Sequence, residues 1–594
     1  MSVETDYCSP DSEIDAENGA ETLDSSAMIG ALDDYHNAAS RERVDLVEHA
    51  QRVKGLVQAY ASDLMPDSYD AIMMHDVVSR FRNSRNQYCH ETRQAAANML
   101  LKYFTDPRVP GDKARYVRNV LSDFDEIEVA AGNHRRDLAK DAVNAANGSL
   151  RKHYQMVVDV ISNRYEGEIP DKIWKISEAR IAPDRMKELL ANANIESVII
   201  KACELLDNLQ HPVSLRKSAL LQDVLEAESF YAPLCEVLGL EALGSALMGQ
   251  TKLIRLEKLR KFDTINQAKA LMSGVQMVGA DRILRDAFAA NANPEDSEYD
   301  VSQVVGLDYD GKRPTNVGEF AYYVQDGARG SGRRVAAGNW RMKSTGSLAD
   351  KLERYEGGVP ADLYGAMVIS KDLQSSTEDF AAFVQSILAR VETPGSEQAA
   401  SENSPKLELN VARGKKSAVY VQGTREYVEA VLNQLRAAGI DELLVQTKIQ
   451  SEAAIKTDGY KKLEVSKIMF ALTYDHPYSP HEKITVPVEV QFFTKLERRR
   501  SRIGEVAHII YKYIDSKLKK EGFYDMPDSD PRKQELREWA RRERESFIGV
   551  LADIYGRMSR LNPNSYDVNG QSDEGGDSLF EELMKFDEEY SIAG

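Results

Sequence analysis

The hydrophobic period of this chain changes near residue 318, and that change limits the fold more than any other feature. From about 26 to 260, apolar residues recur at three- and four-residue intervals, as in RVDLVEHAQRVKGLVQAYASDLM (43–65) and ESVIIKACELLDNL (196–209). That spacing predicts helices with one buried stripe, hence an all-α domain. After 318, short β-rich runs appear: LYGAMVIS (363–370), SAVYVQG (417–423), EVSKIMFALTY (464–474) and ITVPVEVQFFT (484–494). Helical stretches at 376–391 and 424–439 lie between them, so a mixed sheet with helices, an α/β or α+β domain, is expected. At 594 residues the chain is multidomain on length alone. The expected order is a helical domain at 26–260, a helical linker and loop at 261–317, and the mixed-sheet domain at 318–520. A charged helix at 521–565 follows. Pro, Gly and Asp accumulate in the loop NANPEDSEYDVSQVVGLDYDGKRPTN (291–316), and the polar stretch 392–408 reads as a second loop.

The net charge of −19 matters once it is located. Residues 1–24 carry eight acids and no Lys or Arg, and residues 567–594 carry nine acids and one Lys. Each tail contributes −8, which leaves −3 for residues 25–566. The acidic tails, 1–25 and 566–594, therefore read as solvated and disordered, around a body near neutrality. A general nucleic-acid binder would carry a more basic domain. No run of about 18 apolar residues is present to span a bilayer, and the acidic N-terminus has no apolar core of a secretory signal. The four cysteines (Cys8, Cys89, Cys203, Cys235) form no CxxC pair, which points to a reduced, cytoplasmic protein.

Two sets of residues carry chemistry. In the helical half, His49, the adjacent His75 and Asp76, and Glu204 together offer two nitrogens and two carboxylates, a donor set for a hydrolytic divalent metal. A His–Asp pair alone is more often a hydrogen-bonded structural pair. In the second half, NWRMKSTGSLADKLE (339–353) places Arg341 and Lys343 on one face of an extended segment. It places Ser347 and Lys351 on one face of a helix, which together makes a cationic clamp for a polyphosphate. Asp362 opens one expected strand. Glu489 lies inside another, where an acid among apolar β-residues is costly without a partner. Two carboxylates beside substrate phosphates suit Mg²⁺. Tyr460, after Gly459, offers a ring for stacking on a base.

The sequence around these residues resembles the RelA/SpoT family of alarmone enzymes. RVDLVEHAQRVKGLVQAYASDLMPDSYDAIMMHDVV and IESVIIKACELLDNLQHP are similar to the metal-binding helices of that family's HD domain, and AESFYAPLCEVLGLEALGSAL (227–247) resembles a later HD segment. The order R-x-K-x3-S-x3-K, D-L, G-Y, V-E-V-Q, and then GEVAHIIYK (504–512) resembles the synthetase domain. The resemblance covers most of residues 30–515. It implies an HD-type helical domain followed by a nucleotidyltransferase-like synthetase domain, and transfer of the β,γ-diphosphate of ATP to the 3′-hydroxyl of GDP or GTP. It implies that Arg341, Lys343, Ser347 and Lys351 hold ATP and that Asp362 and Glu489 bind Mg²⁺. Glu489 would also take the hydroxyl proton, while Tyr460, Lys456 and Gln491 contact the acceptor. In the helical half it implies Mn²⁺ on His49, His75, Asp76 and Glu204, with Asn208 touching the substrate.

The departures are specific. Ser79–Arg80 stand where the family's hydrolase carries Glu-Asp. Glu204 replaces its metal Asp, and Asp207 replaces a His. In the synthetase half Met367 replaces an Arg, Asp458 an Asn, Glu464 a His and Phe493 an Arg. The phosphate and Mg²⁺ groups are kept while base and acceptor contacts change, which points to an active, divergent enzyme with a regulatory or weakened HD half. Adenosine nucleotides or tRNA 3′ ends are alternative acceptors, with the Arg-rich KLERRRSR (495–502) as a tRNA contact, and a nucleotide-sensing protein is the non-enzymatic alternative. The 75 or so residues after 520 are too few for the family's ribosome-sensing region. The 530–560 helix would self-associate or pack back on the body.

Overall fold

The computed structural model describes residues 46–61, 70–75, 148–161, 169–174, 195–212, 217–238, 240–278, 317–325, 333–355, 358–360, 362–370, 372–392, 406–409, 417–449, 464–476, 479–494, 496–497, 521–527 and 529–561, with single positions in 103–143 and 510–518. The acidic tails, Asp76, Ser79, Arg80, Lys456, Asp458, Tyr460 and the Arg-rich 498–502 lie outside the described residues. The chain divides into two compact units, Met1–Gln51 with Asp67–Ser122, and Arg52–Pro66 with Asp123–Gly594. Among the described residues no helix is long and apolar enough to cross a membrane.

The helical half comprises α1 (Leu46–Ala61), α2 (Gly148–Ile161), α3 (Ile195–Gln210), α4 (Lys217–Glu226), α5 (Ala232–Val237), α6 (Glu241–Lys258) and α7 (Phe262–Val278). A π-helical turn, Ala227–Tyr231, joins α4 to α5, and all five of its residues are buried. One of them is Glu228, whose two carboxylate oxygens each accept a 2.7 Å hydrogen bond from Arg255 of α6. Arg255 also donates to the Trp174 carbonyl. Both charges are about 6% exposed, so each is tolerated only because the other neutralises it. The π-turn's extra residue shifts the side-chain phase by one position, which is a common device for aiming a functional side chain inward.

The second half is built on one mixed sheet. Its strands are β1 (Val317–Gln325), β2 (Arg333–Met342), β3 (Tyr364–Ser370), β4 (Lys406–Leu409), β5 (Val419–Gly423), β6 (Val445–Ile449), β7 (Val465–His476) and β8 (Ser479–Thr494). They run in the order β1-β2-β3-β8-β7-β5-β6, with β4 paired to β7. The pairs β3–β8 and β5–β6 are parallel, and the other pairings are antiparallel. The helices of this half are α8 (Thr345–Arg354), α9 (Leu373–Glu392), α10 (Arg425–Ala437) and α11 (Pro531–Leu561).

Alternation in β8 decides which residues face the helices. Val486, Val488, Val490 and Phe492 are fully buried in a core with Phe380, Phe383, Val384 and Ile387 of α9 and Val428, Val431 and Leu435 of α10. Phe492 meets Phe380 and Phe383 at ring centroid distances of 5.2 and 5.6 Å. Glu489 and Gln491 occupy the alternate positions and so stand on the opposite face of the sheet. Local chemistry ends the helices. Thr424 caps α10 by accepting from the Tyr427 N–H. Gly439, at φ 75°, closes it with the Ile440 N–H reaching back to the Leu435 carbonyl.

The expected strands at 363–370, 417–423, 464–474 and 484–494 lie at 364–370, 419–423, 465–476 and 479–494. Four strands lie outside those expected runs. β4 lies at the end of the polar stretch 392–408 read as a loop, is four residues long and pairs only with β7. None of the five residues of β6 is buried and its last three are exposed, so it lacks the alternation that a buried face imposes. β1 and β2 form an antiparallel hairpin across residues 326–332.

Helix α6 of the helical half packs directly on α8. A Cβ on Gly346 would overlap the Gly249 carbonyl, and a Cβ on Gly249 would overlap the Ser344 side chain. Lys252 pairs with Asp350 at 3.6 Å, and Glu353 pairs with Lys261 at 2.5 Å and accepts from Thr264 at 3.1 Å. Gly346→Ala is therefore expected to force the two helices apart. The cost is about 1–3 kcal/mol for an overpacked contact, visible as a lower thermal unfolding midpoint; an unchanged midpoint would show that the helices separate freely.

Candidate active site

Helix α8 starts where the clamp residues need it. Ser344 is its N-cap, with Oγ accepting the Ser347 N–H at 3.3 Å, and Leu348, Ala349 and Leu352 bury its inner face. Ser347 and Lys351, one turn apart, remain half-buried on a different side. Immediately before the helix, the Lys343 N–H donates to the Leu363 carbonyl at 3.2 Å and so continues the β2–β3 ladder beyond Met342. That ladder brings the two ends of the motif together. Lys343 Nζ lies 2.7 Å from Asp362 Oδ2, and Lys351 Nζ lies 2.9 and 2.8 Å from Asp362 Oδ1 and Oδ2. Three expected site residues thus form one cluster. Partial burial alone would raise the Asp362 pKa, but the charge and hydrogen bond of Lys343, joined by those of Lys351, pull it down to about 2.

A depressed carboxylate stabilises the fold above its unfolded value and loses that contribution as pH falls through the folded value. The Asp362 contribution is therefore expected to be complete above about pH 4 and lost as pH falls through about 2. Asp362→Asn should flatten acid unfolding in that window, measured by far-UV circular dichroism. An unaltered acid limb would refute the assignment.

Glu489 is the second centre. Its Oε2 accepts from Lys467 Nζ at 3.0 Å, and its Oε1 accepts from the side-chain amide of Gln491. Glu489 and Lys467 are 15% and 20% exposed, so water and solutes reach both. The register sets Glu489 opposite Gly365 of β3, and Gly365 opposite Arg341 of β2. Asp362 lies three residues before Gly365, the residue of β3 that pairs with Glu489. Gln491 stands opposite Met367 and Lys467. The donors are hard oxygens on solvent-reachable carboxylates, which fits Mg²⁺.

Lys467 and its neighbour Tyr420 were not among the residues expected from sequence. The signal was present: Lys467 is the one charge in the inner part of a β-run, the same anomaly that marked Glu489. Three departures from the family pattern have visible structural uses. Glu464 accepts from Thr424 at 2.6 Å, and its own N–H donates to the buried Glu497 at 3.0 Å. Phe493 is packed to 6% exposure. Asp207 accepts two hydrogen bonds from Arg52, at 2.8 and 3.1 Å, and lies 3.0 Å from His211 Nδ1.

In the first unit His49 and His75 stand together, with ring centroids 5.9 Å apart, and are 7% and 0% exposed. His75 Nδ1 donates to the Ile72 carbonyl, which puts the ring proton on Nδ1 and leaves the lone pair on the buried Nε2. Imidazole nitrogens are common ligands of divalent transition metals, so the pair fits the nitrogen part of such a donor set without selecting Mn²⁺. In the second unit Glu204 and Asn208 lie one turn apart on α3, both half-buried, and Glu204 pairs with Lys201 at 2.5 Å. Compared with protein-family models and with curated proteins, the chain matches none.

Proposed function

We propose that this chain is a divergent alarmone synthetase of the RelA/SpoT type, an ATP:nucleotide 3′-diphosphotransferase acting on GDP or GTP, with a helical HD-type half that regulates rather than hydrolyses. The observation that carries this reading is the convergence of Lys343 and Lys351 on Asp362. A polyphosphate clamp and a metal-type carboxylate, with Lys343 and Lys351 lying 19 and 11 residues before Asp362 in sequence, occupy one place, beside a strand whose central acid is Glu489.

In this reaction the acceptor 3′-oxygen attacks the β-phosphorus of ATP. The bond from that phosphorus to the α,β-bridging oxygen breaks, and AMP leaves with the bridging oxygen. Glu489, held by Lys467 and Gln491, takes the hydroxyl proton. Lys343, Lys351, Ser347 and Arg341 bind the triphosphate and offset the charge that spreads onto its oxygens. Asp362 and Glu489 would hold Mg²⁺, which supplies further charge neutralisation on the phosphates when bound. Tyr460 and Lys456 belong to the acceptor side by the family resemblance. In the helical half, the cation already beside Glu204 and the Ser79–Arg80 pair in place of acids support regulation over hydrolysis.

The test offers purified protein γ-labelled ATP and Mg²⁺ with GDP, GTP, AMP, ATP or bulk tRNA in turn. Label on a guanine nucleotide is the expected result. Label on tRNA alone, or on no acceptor, would overturn the proposal. For the helical half, Mn²⁺-dependent release of diphosphate from ppGpp at an ordinary enzymatic rate would overturn the regulatory assignment.

A further inference from the structure

The strand order places a different cationic group on each side of Glu489. On one side, toward β3 and β2, lies the Lys343–Lys351–Asp362 cluster. On the other side, toward β7 and β5, lie Lys467 and Tyr420, which are direct cross-strand partners. Lys467 is in turn the cross-strand partner of Gln491, so Tyr420, Lys467 and Gln491 form one row on the face that carries Glu489. The ammonium of Lys467 lies 5.6 Å from the centre of the Tyr420 ring, a cation–π distance, and 3.0 Å from Glu489 Oε2. Tyr420 is 5% exposed, so the ring is a fixed floor, while the lysine above it remains one-fifth exposed. A lysine so held has lost its rotamer freedom before any ligand arrives, and an ammonium has three donors, of which Glu489 takes one.

We propose that Lys467, seated on Tyr420, is an acceptor-side phosphate contact that selects acceptors carrying a 5′-phosphate over bare nucleosides. This rests on the diphosphotransferase reading above. A hydroxyl that gives its proton to Glu489 must lie within hydrogen-bond reach of that carboxylate. The first anionic group near such a 3′-hydroxyl is the 5′-phosphate of the same ribose. The donor triphosphate occupies the Lys343–Lys351 side, which leaves the β7–β5 side for the acceptor. Lys467 is the described cation there that also touches the catalytic carboxylate. It therefore acts twice: it keeps Glu489 in place, and it ties the acceptor's phosphate to the position of the reacting oxygen.

The test measures equilibrium binding of guanosine, GMP and GDP to the full chain with Mg²⁺ and α,β-methylene-ATP, which cannot pass on its diphosphate. The native chain is expected to bind GDP about tenfold or more tightly than guanosine, the value of one charge-assisted phosphate contact. Lys467→Met should remove most of that ratio, and Lys467→Arg should restore most of it. A ratio measured within one protein is insensitive to a partly unfolded sample. If Lys467→Met keeps the native ratio, or if the native chain has no preference for GDP, the proposal is overturned. Transfer to a guanine nucleotide by the native chain then shows whether the diphosphotransferase reading survives that result. Absence of transfer to any acceptor overturns both.

Discussion

Glu489→Gln is expected to lower diphosphate transfer by about 10³-fold, within the range for loss of a general base, while ATP binding stays near that of the native chain. Gln keeps the size of the side chain and can still accept from Lys467, so the sheet should close as before. On the proposed reading, what is lost is the carboxylate's ability to take the hydroxyl proton and its share of metal-binding charge. ATP would bind mainly at the separate cluster of Lys343, Lys351 and Asp362, which the substitution does not touch. Single-turnover transfer and equilibrium binding of an ATP analogue separate the two effects. Transfer within tenfold of native would mean that another group takes the proton. Equal loss of ATP binding would mean that Glu489 serves the donor site.

The second large effect is on stability. Arg255→Met should cost about 3–5 kcal/mol, because it leaves the Glu228 carboxylate buried without its counter-charge. Arg255 also satisfies the Trp174 carbonyl, so one substitution orphans groups on two elements. The double change Arg255→Met with Glu228→Leu removes both charges and should recover a large part of the loss, since no buried ion remains. Denaturant midpoints of the singles and the double measure this. If the losses simply add, the two residues are not a coupled pair.

The legibility of the site from sequence followed the length scale of each signal. Ser347 and Lys351 are one helical turn apart, so helical period alone puts them side by side. Glu489 was visible because a charge within a β-run conflicts with its surroundings. Lys467 satisfies the same criterion but lies in a run whose pairing partner was unknown, and its meaning came only with the β7–β8 register. In one dimension Glu464 and Asp207 are only departures from the RelA/SpoT pattern. In the fold each has a partner far away in sequence, Thr424 and Arg52.

The sequence by itself determined the change from a helical half to a mixed-sheet half, the positions of the main strands and helices, and the candidate residues. These rest on hydrophobic period and turn chemistry, which act within a few residues. Tertiary structure decided the strand order, and with it which charges meet. It joined Lys343 and Lys351 to Asp362, set Lys467 beside Glu489 on the far side from that cluster, and locked α6 against α8 through two glycines. The physical reason is that strand pairing and helix packing are contacts between segments remote in sequence. Their free energy depends on complementary surfaces, and no local pattern encodes which surfaces will meet.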